Sequence, residues 1–304
     1  MESNLQQIQL NFTEDSLFLL NLSLAFIMFG VALGLDRKKF VEITQNPKGV
    51  VVGFFSQFLL LPALTFLLIY ILKPMPGLAL GMILVAACPG GNVSNFFSQQ
   101  AGGNVALSVS LTAVATIGAV FLTPVNFEFW SNLYLEGGME QSIKLEFWKM
   151  FKIVLLLLFI PLVLGLWFSS KFKKATLIII KPIRIISFLI LIAFIVIAFL
   201  KNLDIFTEYY QYIIYIVFLH NAIALASGYY LAKINKLSVQ DRKTISIETG
   251  IQNSGLALVI VFTLFDGNGA MALMAAWWGI WHIISGFIIS TIYSRGHLLN
   301  LKPS

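Results

Sequence analysis

Cys88-Pro89-Gly90-Gly91-Asn92-Val93-Ser94-Asn95 interrupts one apolar run, residues 77–101, and Glu248-Thr249-Gly250-Ile251-Gln252-Asn253-Ser254-Gly255 interrupts another, residues 242–265. The first stretch removes a backbone donor at Pro89 and places two poor helix formers, Gly90 and Gly91, directly after it, so a helix running through it must unwind there. The second carries a carboxylate, two amides and two glycines where an uninterrupted helix would show only apolar side chains. Asn92 is expected to cap the half-helix that follows the first break, with Ser94 and Asn95 offering side-chain oxygens in its first turn.

Composition decides what surrounds these runs. Of 304 residues, 58% are hydrophobic and only 11% are charged, against roughly 45–50% and 25% in soluble domains. So few charges cannot cover a water-soluble surface, and most of the solvent is lipid. The net charge of +6 does not indicate nucleic acid, because the basic residues fall in short groups between apolar runs. The single cysteine, Cys88, excludes an internal disulfide framework and a thiolate zinc site.

Runs of about 20 apolar residues, the length needed to span hydrocarbon, number nine: approximately 17–35, 49–72, 77–101, 104–129, 149–172, 176–200, 209–233, 242–265 and 270–293. No room is left for a separate soluble domain, so residues 1–304 read as a single all-α membrane unit. Basic residues resist translocation, and they alternate with the spans. Arg37, Lys38, Lys39, Lys48, Lys171, Lys173, Lys174, Lys233, Lys236, Arg242, Lys243, Arg295 and Lys302 fall on one side. Glu128, Glu136, Glu140, Glu146, Asp204, Glu208 and Asp266 fall on the other, with Lys73, Lys144, Lys149, Lys152 and Lys201 as its few cations. The expected topology is therefore a multi-pass protein of a cell membrane, plasma or inner, with the N-terminus outside and the C-terminus cytoplasmic. No basic region precedes Leu17, which argues against a cleaved signal peptide, and Asn11-Phe12-Thr13 matches a glycosylation sequon.

The two interrupted spans, third and eighth, are five apart and therefore run in opposite directions, the mark of an inverted-topology repeat pairing spans one to four with six to nine. Glu248 is the carboxylate placed well inside a span. It reads either as a structural group, protonated or paired to Arg242 or Lys243, or as a cation ligand, since an intramembrane ionisable residue marks a functional site by default. Ser108 and Thr112 lie four apart on one face of the fourth span, with Thr116 extending the stripe. Taken alone such a stripe reads as back-bonding within its helix, but two breaks and a carboxylate beside it favour a binding role. Ser56 and Gln57 add polar positions in the second span just before an expected kink at Pro62.

In these residues the chain resembles the bile acid:sodium symporter family. The resemblance runs from Phe29-Gly30-Val31-Ala32-Leu33-Gly34-Leu35 to Trp281-His282-Ile283-Ile284-Ser285-Gly286, and its most specific parts are the two breaks and Gly103-Asn104-Val105-Ala106-Leu107-Ser108. The nine-span layout is closer to the animal bile acid carriers than to bacterial members with an extra N-terminal helix. The resemblance implies crossed broken helices in a core bundle, approximately 49–129 and 209–293, moving against a panel bundle, approximately 17–35, 149–172 and 176–200. It implies two sodium sites, one of Ser94, Asn95, Ser108, Thr112 and Glu248, the other of Gln57, Glu248 and Gln252 with main-chain carbonyls near Thr249 and Ile251. All are oxygen donors, as a hard monovalent cation requires. It places Asn92, Asn253 and His282 near an organic anion, while Ile283 stands where bacterial relatives often carry asparagine. His282 reads equally as a satisfied interior histidine, and His220 and His297 read as structural or surface residues.

The expected function is sodium-coupled symport of an organic anion, bile acid-like or another small organic acid, by alternating access, with no catalytic residues. The alternative is a proton-coupled or antiport-type transporter in which Glu248 titrates. A membrane enzyme fits poorly, because the chain has no His-Glu-x-x-His run and a two-aspartate protease needs a second intramembrane acid. A receptor or scaffold would have little use for two matched broken helices.

Overall fold

A computed structural model describes residues 14–34, 47–136, 147–201 and 203–299. The sequon at Asn11 and the charges at positions 37–39, 140, 144, 146 and 302 lie outside them. The described residues form helices and no strand. In chain order these are α1 Glu14–Leu33, α2 Pro47–Leu72, α3 Pro76–Ala87, α4 Ser94–Gln100 and α5 Val105–Glu136. They continue with α6 Phe147–Lys171, α7 Lys173–Lys201, α8 Leu203–Ile234, α9 Val239–Gly250, α10 Ser254–Leu264 and α11 Gly269–Leu299.

Five of these helices, α2, α5, α6, α8 and α11, contain stretches long and apolar enough to cross a membrane, and Leu17–Leu33, α3 and α10 are shorter apolar helices. Many of their apolar side chains point outward, among them Phe18, Tyr70, Phe121, Trp148 and Ile292, as does Leu177 of α7. That arrangement suits lipid and no aqueous exterior. The chain is a multi-pass membrane protein.

The expected breaks are present. The run 77–101 is realised as α3 and α4, and the run 242–265 as α9 and α10, each pair separated by non-helical residues. Helix α10 is almost wholly buried, as is α3, and α9 is buried from Lys243 to Gly250.

Proline shapes α2 and α6 in the same way. Each contains a wide turn, Ser56–Leu60 in α2 and Leu155–Phe159 in α6, ending two residues before Pro62 and Pro161. A proline cannot donate to the carbonyl four residues back and its ring crowds it. The helix responds by adding a residue to the turn, so that Leu61 N–H donates to Ser56 O and Ile160 N–H to Leu155 O. The kink expected at Pro62 is thus a π-turn, and it carries Ser56, Gln57 and Phe58 inward as buried residues.

Small residues set the helix approaches. A Cβ on Gly165 of α6 would stand 2.5 Å from Ala32 Cβ of α1, and one on Gly228 of α8 would stand 2.6 Å from the Ile245 carbonyl oxygen of α9. Gly77 and Gly81 of α3 meet Ala270 and Met274 of α11 equally closely. Helix α1 packs mainly on α6 and α7, whereas α9 lies against α8, α4, α5 and α11.

Candidate functional site

The two breaks cross and share their backbone groups. Gly91 N–H donates to Ile251 O at 2.6 Å, and Asn253 N–H donates to Pro89 O at 2.9 Å, a two-bond antiparallel bridge centred on Gly90 and Gln252. Groups that unwinding frees in each segment are thereby satisfied by the other, which is how non-helical backbone is tolerated away from water. Neighbouring side chains complete the pairing: Gly90 N–H donates to Gln57 Oε1 at 3.3 Å, Asn221 Nδ2 to Gly250 O at 2.7 Å, and Gln252 Nε2 to Thr249 O at 2.8 Å. Glycine lets the two segments approach closely at the crossing. A Cβ on Gly90 would lie 3.2 Å from Gln57 Nε2, Glu248 O and Glu248 Oε2, and one on Gly91 would lie 3.0 Å from Gln252 O.

Glu248 sits beside this crossing on the last turn of α9, with no exposed surface. Its Oε1 accepts from Ser94 Oγ at 2.6 Å and from Ser108 Oγ, and Thr112 Oγ1 donates to Oε2 at 3.1 Å. Asn95 Oδ1 joins the cluster 2.9 Å from Ser108 Oγ. Helix α4 presents Ser94 and Asn95 at its start, and α5 presents Ser108 and Thr112 one turn apart. Thr116 does not extend the arrangement, because its hydroxyl donates back to Thr112 O at 2.7 Å. The structure therefore brings together Ser94, Asn95, Ser108, Thr112 and Glu248.

Arg242 and Lys243, considered above as partners of Glu248, point elsewhere. Arg242 Nε donates to Leu237 O at 2.8 Å, and Lys243 Nζ to Ala101 O at 3.1 Å and Tyr293 O at 2.9 Å. Among the described residues, the side chains that hydrogen-bond to the carboxylate are hydroxyls, none of them a cation.

A second cluster forms around Gln57, Thr249, Ile251 and Gln252. Ser56 Oγ and Thr249 Oγ1 are 2.8 Å apart, and both glutamines are fully buried. Among the described residues, Gln57 Nε2 and Gln252 Oε1 find no hydrogen-bond partner. Unpaired buried amide atoms are costly, so this pocket is polar beyond what the fold alone satisfies.

Residues expected near an organic anion are less unified. Asn253 is a helix cap, its Oδ1 accepting from Leu256 N–H at 3.0 Å. Asn92 is not a cap: Val93 occupies that position without a side-chain bond, and Asn92 Nδ2 faces Met28 Sδ of α1 at 3.5 Å. The first break ends in helical geometry already at Val93, which leaves the Asn92 side chain free to reach across to α1. His282 is buried with Nδ1 unpaired among the described residues. His220 is a packed interior residue, its Nε2 2.7 Å from Thr65 Oγ1 and its ring 4.6 Å from that of Trp278.

The contacts of three contributors escape sequence reading: Asn221 on the Gly250 carbonyl, Lys243 between the end of α4 and the Tyr293 carbonyl of α11, and Asn104, which caps α5 through Leu107 N–H while donating to Asp241 Oδ1 at 2.8 Å. Each is an ordinary polar residue whose partner lies far along the chain. No group of three or more His, Cys, Asp or Glu side chains suited to a transition metal occurs among the described residues.

Residues 21–209 match the profile of the Sodium Bile acid symporter family. The chain is 29% identical over 291 residues, 94% of its own length and 88% of the relative's, to the uncharacterized sodium-dependent transporter YocS of Bacillus subtilis (strain 168). It is 34% identical over 252 residues to the probable sodium/metabolite cotransporter BASS2, chloroplastic, of Oryza sativa subsp. japonica, covering 80% of this chain and 56% of that one. It is 27% identical over 277 residues to the sodium-dependent organic anion transporter of Bos taurus, covering 90% and 71%. The chain thus spans little more than half the length of the rice relative. With its crossed, interrupted helices, its buried carboxylate and these similarities, the chain belongs to the sodium bile acid symporter family, whose members are transporters and not enzymes.

Proposed function

We propose that this protein is a sodium-coupled symporter of organic anions, with Glu248 as the anionic centre of its cation sites. The observation that carries the reading is the Glu248 carboxylate itself, wholly buried and met, among the described residues, by three hydroxyls but by no cation. A carboxylate in a low-dielectric interior needs a compensating charge. Hydroxyl and amide oxygens already gathered around it suit sodium. The first ion is held by Ser94, Asn95, Ser108, Thr112 and Glu248. The second is held by Gln57, Glu248 and Gln252 with the carbonyls of Thr249 and Ile251, which gives the unpaired Gln252 Oε1 a partner.

Two sodium ions against one carboxylate leave a single positive charge, which a monovalent organic anion cancels, so joint occupancy is favoured over either partner alone. The anion binds beside the crossing near Asn92, Asn253 and His282. The chain has nine spans in two inverted repeats, spans one to four and six to nine, with the N-terminus outside and the C-terminus in the cytoplasm of a plasma or inner membrane. A core bundle, approximately 49–129 and 209–293, rocks against a panel of approximately 17–35, 149–172 and 176–200. The packing of α1 on α6 and α7 supports that division.

Uptake of a panel of radiolabelled organic anions, a bile salt included, into proteoliposomes tests the reading. Sodium-dependent uptake of at least one of them, lost in Glu248→Ala, is expected. Flux unchanged on replacing sodium with potassium, or unchanged in Glu248→Ala, overturns it.

A further inference from the structure

Lys243 is a lysine in the interior, 5% exposed, on the same helix as Glu248 and five residues before it. Among the described residues its ammonium meets no carboxylate. It donates instead to two main-chain carbonyls, Ala101 O at 3.1 Å and Tyr293 O at 2.9 Å. Ala101 ends α4, the short helix whose first residue, Ser94, donates to Glu248. Tyr293 lies on α11, which packs against α4 through Phe97 and Phe287, ring centroids 5.0 Å apart, and reaches α9 through its hydroxyl, 3.1 Å from Ser246 Oγ. Helix α9 therefore grips both ends of α4, by Glu248 at Ser94 and by Lys243 at Ala101.

We propose that Lys243 is a positioning residue for the sodium site, holding α4 in register with α9 so that Ser94 and Asn95 stay on the Glu248 carboxylate. Helix α4 has seven residues, too short to be stable without tertiary contacts. The carbonyl of Ala101, the residue that caps its C-terminal end and has no exposed surface, needs a donor. Burying an ammonium among neutral carbonyls is costly unless it is fully hydrogen-bonded, which marks the contact as a specific device rather than a stray surface cation. If the Lys243 contacts fail, α4 is released at one end, and the oxygens it supplies at the other lose their fixed geometry. Outer-shell groups that orient ligands act in the same manner, and losing one commonly weakens ion binding by about tenfold or more.

This inference rests on the sodium reading above, and the test separates the two. The purified full-length protein is melted in detergent over a sodium series at constant ionic strength, potassium replacing sodium. Wild type is expected to be stabilised by sodium with a defined midpoint, and Glu248→Gln to show no sodium-specific effect; a wild-type protein indifferent to sodium defeats the function itself, whatever Lys243 does. Given that response, Lys243→Met is expected to move the midpoint to about tenfold higher sodium, with Lys243→Arg, which retains donors and charge, close to wild type. A Lys243→Met midpoint equal to wild type overturns the proposal, as does a Lys243→Arg midpoint displaced as far as that of Lys243→Met. Should Lys243→Met fail to fold, linkage supplies a readout without substitution: acetylation of Lys243 in the wild-type protein, followed by mass spectrometry, is expected to be slower in sodium than in potassium. Equal rates overturn the proposal.

Discussion

The hydroxyls around Glu248 can be ranked by how each meets its carboxylate, and so by what each would contribute to the proposed cation site. Ser94, Ser108 and Thr112 all address the carboxylate, whereas Thr116, on the same face of α5, spends its proton on the Thr112 carbonyl. Ser108→Ala is therefore expected to raise the sodium concentration for half-maximal uptake by about tenfold, with Thr116→Ala near wild type; sodium titrations of uptake compare them. A shift in Thr116→Ala as large as that in Ser108→Ala would contradict the assignment. Glu248 is legible in the sequence because a carboxylate stands out in an apolar run. Lys243 is not, because a basic residue near the end of a span reads as a cytoplasmic charge. Its partners, Ala101 and Tyr293, are 142 and 50 residues away in the chain. Asn92 shows the opposite error: next to a proline-glycine break it has the chemistry of a cap, yet Val93 takes the position and the amide faces Met28.

At the scale of elements, the crossing of the breaks depends on backbone approach, and glycine permits it. Gly90→Ala would press a methyl group against Gln57 and Glu248 at 3.2 Å, inside the proposed cation cluster rather than in the surrounding packing. Transport is expected to fall to background while the protein still inserts and purifies, which uptake and yield measured together will show. Gly228→Ala strikes a different link. Its Cβ would sit 2.6 Å from the Ile245 carbonyl oxygen, rigid main chain, so α8 and α9 must separate, at a cost of about 1–3 kcal/mol. Lower thermal stability is expected, and an unchanged melting temperature would mean the contact is looser than described. The breaks at 88–93 and 251–253 are legible because proline, glycine and amides are conspicuous inside apolar runs. The π-turn is legible only as a kink: Pro62 shows that the helix must deviate, but whether it bends or inserts a residue depends on what packs beside Ser56 and Gln57.

For the whole molecule, the sparse charge sorts by side. Under the proposed topology most basic residues face the cytoplasm, and Glu248 remains within the membrane. If that carboxylate stays with the protein through the cycle, two sodium ions and one monovalent anion carry one net positive charge inward. An inside-negative potential then assists uptake by about 2.3 kcal/mol per 100 mV. Imposing a potassium diffusion potential with valinomycin is expected to accelerate uptake, and collapsing it to slow uptake; a rate indifferent to potential would require a different stoichiometry. The hydrophobic composition makes the membrane setting legible from the sequence alone. The packing of helices is less so, because contacts such as Gly165 against Ala32 rest on two unremarkable small residues that decide how closely α6 approaches α1.

Sodium binding to the purified protein is the most direct measurement, because it needs no transported substrate. Isothermal titration with sodium chloride, against potassium chloride as control, is expected to show saturable sodium-specific binding in the wild type and none in Glu248→Gln. Sodium binding of equal affinity in Glu248→Gln, or no distinction between sodium and potassium in the wild type, would contradict the central place given to this carboxylate.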